Sequence, residues 1–555
     1  MFGETPDTWK SLPHKDQLAV LTLCRTVDFY QMVSFQIICY YQLKSFNPSA
    51  TEQVLSWQTG VALASFTASQ SCTAIPWGYV ADAKWGGRRN VLLIGLVGTS
   101  LSCFGVAFSR SFASVVAFRI AGGAMNGTIG VTYTAQKASF APSLGISRIV
   151  LFIRDTLPLT NIMARHQSRA FLLLPASFSV AALIGPVFSG LLSDPVTTYP
   201  IAFGHVQWLR SYAYSLPSLL SALLLILTSV TVLLILRETL EGYDPWLSLD
   251  AGIRAWKSLN RFIRLNQLAS SEQYSPLLVE EHDQPISERE GLNEKEASKL
   301  PSLRPKLSFR RIWTPNVTLT MVSLAFFEFH IGAFGGAWSL LLSNTRDSSA
   351  AIDNLDQRFK GGLGLSPQSL GYTMAFAGLA GLLLQFLFYP AVHKRWGTLK
   401  CYRLFLLLFP TVYVTSPFLV VMASSSFAFT EAFTWVFILL LLFIHSTGRI
   451  FCVPTSIMLL NNCSPHPSVL GIVHGIGQAT AAAFRTLGPI CAGYLHEVAI
   501  ANGIIGLSWW VISGTALLAW LVSLVIREGS GHEIVLPGED SFYDGEMKAP
   551  GSDQL

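Results

Sequence analysis

Apolar residues in this chain gather into continuous runs of about twenty. A run of that length crosses a ~30 Å hydrocarbon core as a helix; barrel strands would alternate at period two. Twelve runs read as spans, at roughly 17–41, 54–80, 90–108, 112–134, 169–192, 213–236, 316–342, 366–391, 401–423, 433–459, 468–494 and 503–526. The pattern predicts an all-α membrane protein of twelve transmembrane helices. Polar sequence divides it into an N-terminal tail (1–16), a six-helix bundle (17–236), a linker (237–311), a second six-helix bundle (312–526) and an acidic tail (527–555).

Composition agrees with that class. Of 555 residues, 51% are hydrophobic and 13% charged, about half the charge of an ordinary soluble domain. Six of the eight cysteines (Cys24, Cys39, Cys72, Cys103, Cys452, Cys491) lie in apolar runs, where cysteine acts as a small hydrophobe. Their spacing indicates neither a disulfide framework nor a metal site. The linker holds twelve basic and twelve acidic residues and few aromatics, too little apolar surface to fold alone. No signal-peptide pattern precedes the first run.

The net charge of +5 matters less than its placement. Lys84, Arg88 and Arg89 follow the second span, and Lys394, Arg395, Lys400 and Arg403 follow the eighth. Loops on the other side are poorer in lysine and arginine, so both termini and the linker are expected in the cytoplasm.

The two halves repeat each other. Gly185-Pro186-x-x-x-Gly190 in span five matches Gly488-Pro489-x-x-x-Gly493 in span eleven, and Trp85-Gly86 after span two matches Trp396-Gly397 after span eight. Parallel repeats with a solute site between them are a transporter architecture.

Charges inside the spans call for explanation, because each costs about 2.5–3.5 kcal/mol at the bilayer centre. Arg25 and Asp28 lie three apart and share a helix face, so they can pair. Arg119 stands in span four, Glu328 and His330 in span seven, His445 and Arg449 four apart in span ten, and His474 and Gln478 four apart in span eleven. A desolvated carboxylate or a histidine can exchange a proton near neutral pH. The alternative for each is a static pair or a satisfied core hydrogen-bonder. In span five, Ser177, Ala181, Gly185 and Ser189 form a stripe of small residues that permits close helix approach.

Several of these stretches resemble the major facilitator superfamily. Gly78-Tyr-Val-Ala-Asp82-Ala-Lys-Trp-Gly86-Gly87-Arg88-Arg89 is similar to that family's loop between helices two and three, although Ala83 stands where a basic residue is usual. SRAFLLLP, NNCSPHPSVLG, RTLGP and REGSGHEI resemble its fungal multidrug-type proton antiporters, close to plant zinc-induced-facilitator-like carriers. The resemblance implies two pseudo-symmetric six-helix bundles with spans one, four, seven and ten lining a central cavity. It implies a conformational gate at Gly78, Asp82, Gly87, Arg88 and Arg89, an antiporter-like motif at Gly185, Pro186 and Gly190, and a proton-transfer role for Arg119. Residues 137–165 are longer and more apolar than the connector the family has there; they read as an amphipathic surface segment or an irregularity of the gene model.

The expected function is proton-coupled antiport that exports a small organic compound, a drug or secondary metabolite, at the plasma or vacuolar membrane. The proton gradient would supply the energy with no cofactor, and no metal site is expected. The expected partners are the lipid bilayer, protons and a small-molecule substrate, with no nucleic acid, and the protein is expected to be monomeric. A carrier of a metal ion, chelate or nutrient, and a non-transporting sensor on the same fold, are the alternatives. No GxxxxGK[ST] loop for nucleotide occurs in the sequence, and no nucleophile–base constellation suggests an enzyme.

Overall fold

Hydroxyl caps and prolines decide where many of the helices start. Thr51, Ser111, Thr314 and Ser366 each accept a hydrogen bond from a backbone N–H of the following first turn, satisfying a donor the helix cannot. Pro315 and Pro367 occupy the first helical position after two of these caps, where a missing N–H costs nothing.

A computed structural model describes residues 15–83, 85–127, 176–236, 238, 307–346, 361–424, 430–534 and 536. The segment 137–165, nearly all of the linker, and most of both tails lie outside the described residues. The first bundle contains α1 (Lys15–Phe46), α2 (Glu52–Asp82), α3 (Arg88–Ala107), α4 (Phe112–Met125), α5 (Ala176–Leu191) and α6 (Ser215–Ile235). The second contains α7 (Pro315–Ser343) and α8, which starts as Pro367–Leu383 and runs through a π-turn at Leu384–Phe388 to residue 396. It continues with α9 (398–424, interrupted before Pro417), α10 (Thr430–Asn462), α11 (Leu470–Ala501) and α12 (Gly506–Val525).

The repeat inferred from sequence is visible in backbone geometry. Gly87 and Gly397 hold φ of 78° and 73° immediately before α3 and α9, a region only glycine enters without penalty. Arg89 then donates to the Leu233 carbonyl at the end of α6. Arg403 donates to the carbonyls of Ser523, Leu524 and Ile526 at the end of α12.

Among the described residues, six stretches are long and apolar enough to cross a membrane by length and composition: Arg88–Ala107, Ser215–Ile235, Pro315–Ser343, Pro367–Thr415, Glu431–Asn462 and Gly506–Val525. The Pro367–Thr415 stretch passes through all of α8 into α9. At 32, 31 and 32 residues, α1, α2 and α11 have length to spare but carry many polar and small residues. Of these, α2 and α11 pack against each other across the seam between bundles.

For orientation, the near end is where α1 begins and α12 finishes; the opposite end is the far end. At the near end residues 527–534 fold back over the α10–α11 turn. The N–H groups of Glu533 and Ile534 both donate to the Pro465 carbonyl at 2.9 Å.

Candidate functional site

The seam is built from small residues on α5 and α11, used the same way in each half. Along α5 the stripe faces α1: Ser189 donates to the Ser34 hydroxyl at 2.5 Å and Ser177 to the Thr22 carbonyl at 3.4 Å, while Ala181 packs with Tyr30 and Val33. A Cβ on Gly185 would meet the Tyr30 carbonyl at an ordinary 3.5 Å. Pro186 and Gly190 instead face α8 across the seam. A Cβ on Gly371 would lie 2.4 Å from the Pro186 carbonyl, and one on Gly190 would lie 2.8 Å from that of Pro367.

In the second half Gly488 faces α7 of its own bundle, and Pro489 and Gly493 face α2 of the other. A Cβ on Gly60 would lie 2.5 Å from the Pro489 carbonyl, and one on Gly493 would lie 2.7 Å from that of Ser56. Backbones approach this closely only where side chains are absent.

Hydrogen bonds between the bundles concentrate from mid-depth to the far end. Gln36 donates to the Gly335 carbonyl at 2.9 Å, Tyr41 to the Leu365 carbonyl at 2.5 Å, Thr345 to the Glu52 carboxylate at 2.9 Å and Gln368 to Thr198 at 3.1 Å. Toward the near end the seam is looser. Ile75 and Tyr79 on α2 are 79% and 76% exposed, and Gly78, Gly471 and Gly475 have no atom within 4 Å of where a Cβ would stand. The described arrangement is closed at the far end and open at the near end.

At mid-depth the charged residues face inward. The Arg25 guanidinium donates to Asp28 at 2.7 Å, as the three-residue spacing requires. Asn126, at the end of α4, donates to the other Asp28 oxygen at 2.6 Å. Arg119 donates to Gln31 at 3.1 Å and lies 4.3 and 4.8 Å from the Phe35 and Phe66 ring centroids. It also borders a water-sized cavity with Ser102, Ser218 and Ser221. Arg119 is 4% exposed, so it points into the bundle and away from acyl chains.

The second bundle is arranged differently. Glu328 on α7 accepts a hydrogen bond on Oε2 from Arg485 Nε on α11 at 2.8 Å, and the Arg485 Nη2 lies 2.8 Å from the same oxygen in an ion pair. His474, Gln478 and Arg485 recur on one face of α11; His474 and Gln478 are half-buried and Arg485 is exposed.

His330 and His445 lie in the aromatic core of this bundle. His330 Nδ1 is 3.0 Å from the Tyr413 hydroxyl, and the His445 ring stacks on Phe334 with centroids 3.6 Å apart. His330 packs as a hydrogen-bonding aromatic of the core, whereas His445 is held by ring contacts and its buried Nε2 has no hydrogen-bond partner among the described residues. Arg449, four residues on, faces the seam, its guanidinium 3.6 Å from the Phe178 ring centroid of the other bundle.

In the loop at 78–89, the Asp82 side chain lies outside the described residues, so the Asp82–arginine lock has no described geometry. What is described anchors α3 to α6: the Arg89 N–H donates to the Glu238 carboxylate at 2.9 Å, and its guanidinium to the Leu233 carbonyl. A Cβ on Gly86 would lie 2.0 Å from the Val80 carbonyl.

Sequence reasoning missed Arg485, Gln31, Tyr413 and the role of Asn126. Arg485 carried a usable signal, being a charge inside span eleven directly before Thr486-Leu487-Gly488-Pro489. Among the described residues no group of three His, Cys, Asp or Glu could hold a metal ion.

Two repeated helix bundles, a seam of small residues and an ionisable cleft define an integral, multi-pass membrane transporter. The chain belongs to the Major Facilitator Superfamily, whose sequence profile matches residues 21–409. It is 26% identical over 546 residues to the multidrug transporter mfsB of Aspergillus fumigatus, covering 93% of this chain and 84% of that protein. It is 22% identical over 461 residues to the Arabidopsis thaliana protein zinc induced facilitator 1, covering 82% and 79%. The crystal structure of a D-xylose-proton symporter superposes with a TM-score of 0.59 at 14% identity, covering 94% of this chain and 99% of that one. These likenesses agree with the twelve-helix fold and the family resemblance read from sequence.

Proposed function

We propose that the protein is a proton-coupled antiporter that exports a small organic compound by alternating access. The observation that carries this reading is the Glu328–Arg485 pair, placed where the bundles meet and half open to the cleft. A buried carboxylate whose arginine partner is exposed to the cleft can exchange its bond for a proton when the bundles rock. Arg25, Asp28, Asn126 and Arg119 form the complementary network of the first bundle. The seam motif at Pro186 and Gly190 is the pivot surface in this reading.

The multidrug name of the fungal relative supports export of an organic compound, as does the antiporter-like stripe of α5. Both termini are assigned to the cytoplasm from loop charge, which makes the described arrangement inward-facing, in the plasma or vacuolar membrane. The working unit is a monomer in the bilayer, with protons and solute as its partners and the proton gradient in place of a cofactor.

The test is reconstitution into vesicles with an imposed pH gradient, reading solute flux and lumenal pH together. Antiport predicts solute movement against proton movement, abolished by a protonophore. Flux that ignores the gradient overturns coupling, and the absence of flux for every compound of a broad organic panel overturns export.

A further inference from the structure

Two guanidiniums near the seam pair with no carboxylate among the described residues: Arg119 and Arg449. Arg119 is enclosed by Gln31, Phe35 and Phe66 inside the first bundle and is out of reach of the cleft. Arg449 is half-buried at mid-depth on α10 and donates no hydrogen bond among the described residues. It lies in the field of Glu328 and Arg485, but Glu328 is already ion-paired with Arg485, whose Nε and Nη2 both lie 2.8 Å from its Oε2. These three side chains therefore hold two positive charges and one negative.

The surroundings of Arg449 indicate what would answer the surplus. Phe178 of the other bundle covers one face of its guanidinium at 3.6 Å, a contact that leaves the planar edge of N–H donors unused. That edge matches a carboxylate bidentately, which neither a lysine nor a neutral acceptor reproduces. Phe178 meets Phe29 edge-on at 5.2 Å, and the Phe29 ring lies 4.3 Å from the Arg25 guanidinium. Two aromatic rings thus bridge the distance from Arg449 to the Arg25–Asp28 pair.

We infer that the transported solute is an organic anion, its carboxylate or equivalent group docked on Arg449 and its apolar body against Phe178 and Phe29. This rests on the transport reading above and narrows its substrate class. A cationic solute meets the surplus charge of Arg449 as repulsion, and a neutral one leaves it unanswered. Because Arg449 and Phe178 belong to opposite bundles, an anion docked on the free edge of Arg449 with its body against Phe178 also contacts both moving bodies.

The test is equilibrium binding to the full chain in nanodiscs of phosphatidylcholine alone, with no pH gradient and no anionic headgroup to compete. Three probes of one shape serve: biphenyl-4-carboxylate, its neutral carboxamide and the cationic biphenyl-4-methylammonium. The protein is expected to bind the carboxylate at least tenfold more tightly than the other two. Arg449→Gln should erase that preference and Arg449→Lys should retain part of it. Equal binding of all three probes by the unaltered protein, failure to bind any of them, or a preference that survives in Arg449→Gln overturns the inference. The unaltered protein alone decides the first two outcomes, so a folding defect in a variant does not obscure them. Anion preference without gradient-driven flux would overturn the antiport reading and leave this one standing. Coupled flux of neutral and cationic probes without anion preference would do the reverse.

Discussion

Each bundle holds an arginine–carboxylate pair inside its spans, at nearly the same distance, 2.7 Å for Arg25–Asp28 and 2.8 Å for Arg485–Glu328, and in other respects the two differ. The side chains of the first pair are 6% and 2% exposed; those of the second are 46% and 10% exposed. The first lies within one helix and is clamped by Asn126 from α4. The second joins α7 to α11 and opens on the cleft. A pair sealed from water is expensive to break, because the survivor is left charged and desolvated. A pair whose arginine water can reach loses little when parted. The fold thus places a sealed ion pair in one half and a partly exposed one in the other, and the proposed antiport would draw on both.

Breaking the sealed pair should have the largest effect. Asp28→Asn leaves the Arg25 charge in an interior without its counter-charge, and is expected to destabilise the protein by about 3–5 kcal/mol. Thermal unfolding of purified protein should register a clear fall in midpoint, and transport should be lost with it. Asn126→Ala removes one hydrogen bond to a charge and should cost about 1.5–3 kcal/mol. If Asp28→Asn unfolds at the same temperature as the unaltered protein, the distinction between the two bundles fails.

The exposed pair should behave in the opposite way. Glu328→Gln is expected to change stability by less than about 1 kcal/mol, because Arg485 stays solvated from the cleft. Its effect belongs to function: gradient-driven flux should drop at least tenfold while solute-for-solute exchange across vesicles continues. Flux that still follows the pH gradient in this variant would remove Glu328 from the coupling step.

How far these differences could be read from sequence depends on the range over which each is set. The spans, the two-bundle division and the repeated Gly-Pro motifs follow from local runs of residues and were legible. So was Arg25–Asp28, since helix geometry alone brings positions three apart together. Asn126 meets Asp28 across 98 residues and Arg485 meets Glu328 across 157; those pairings depend on how helices rotate against one another, which no local pattern encodes. His330 and His445 were legible as ionisable positions in cavity-lining spans. Their enclosure by Phe327, Phe334, Phe409 and Tyr413 depends on which face of each helix turns to the bundle core.

The seam offers a finer comparison within one motif. Gly190 has no room for a methyl group, since a Cβ there would stand 2.8 Å from the Pro367 carbonyl, whereas Gly185 has ordinary contact distance at 3.5 Å. Gly190→Ala should therefore loosen the far-end contact of α5 with α8 and raise the accessibility of a cysteine placed at Thr198. Gly185→Ala should leave it unchanged. An equal rise in both variants would mean that the motif acts through helix flexibility rather than through closeness of approach.

The smallest effect is expected at the far-end mouth, where Glu52 stands just outside the second span. It accepts hydrogen bonds from Lys44 at 2.9 Å and Tyr40 at 2.5 Å in its own bundle, and from Thr345 of the other at 2.9 Å. Burial pushes its carboxyl up, but the bonds from Tyr40, Lys44 and Thr345 and the charge of Lys44 outweigh that and hold it below its ordinary value of 4.5. A depressed carboxyl stabilises the state in which its partners are present at every pH above the ordinary value, and the contribution is lost as pH falls through the depressed one. Closure of the far end should therefore be flat from neutral pH down to about that ordinary value and weaken only under stronger acid, by less than about 1 kcal/mol for so accessible a pair. A cysteine at Leu365 reads this directly when its accessibility is followed against pH on the far side, because only the backbone carbonyl of that residue bonds across the mouth. Glu52→Gln should make the profile level; an acid-dependent opening that persists in that variant would place the responsible group elsewhere at the mouth.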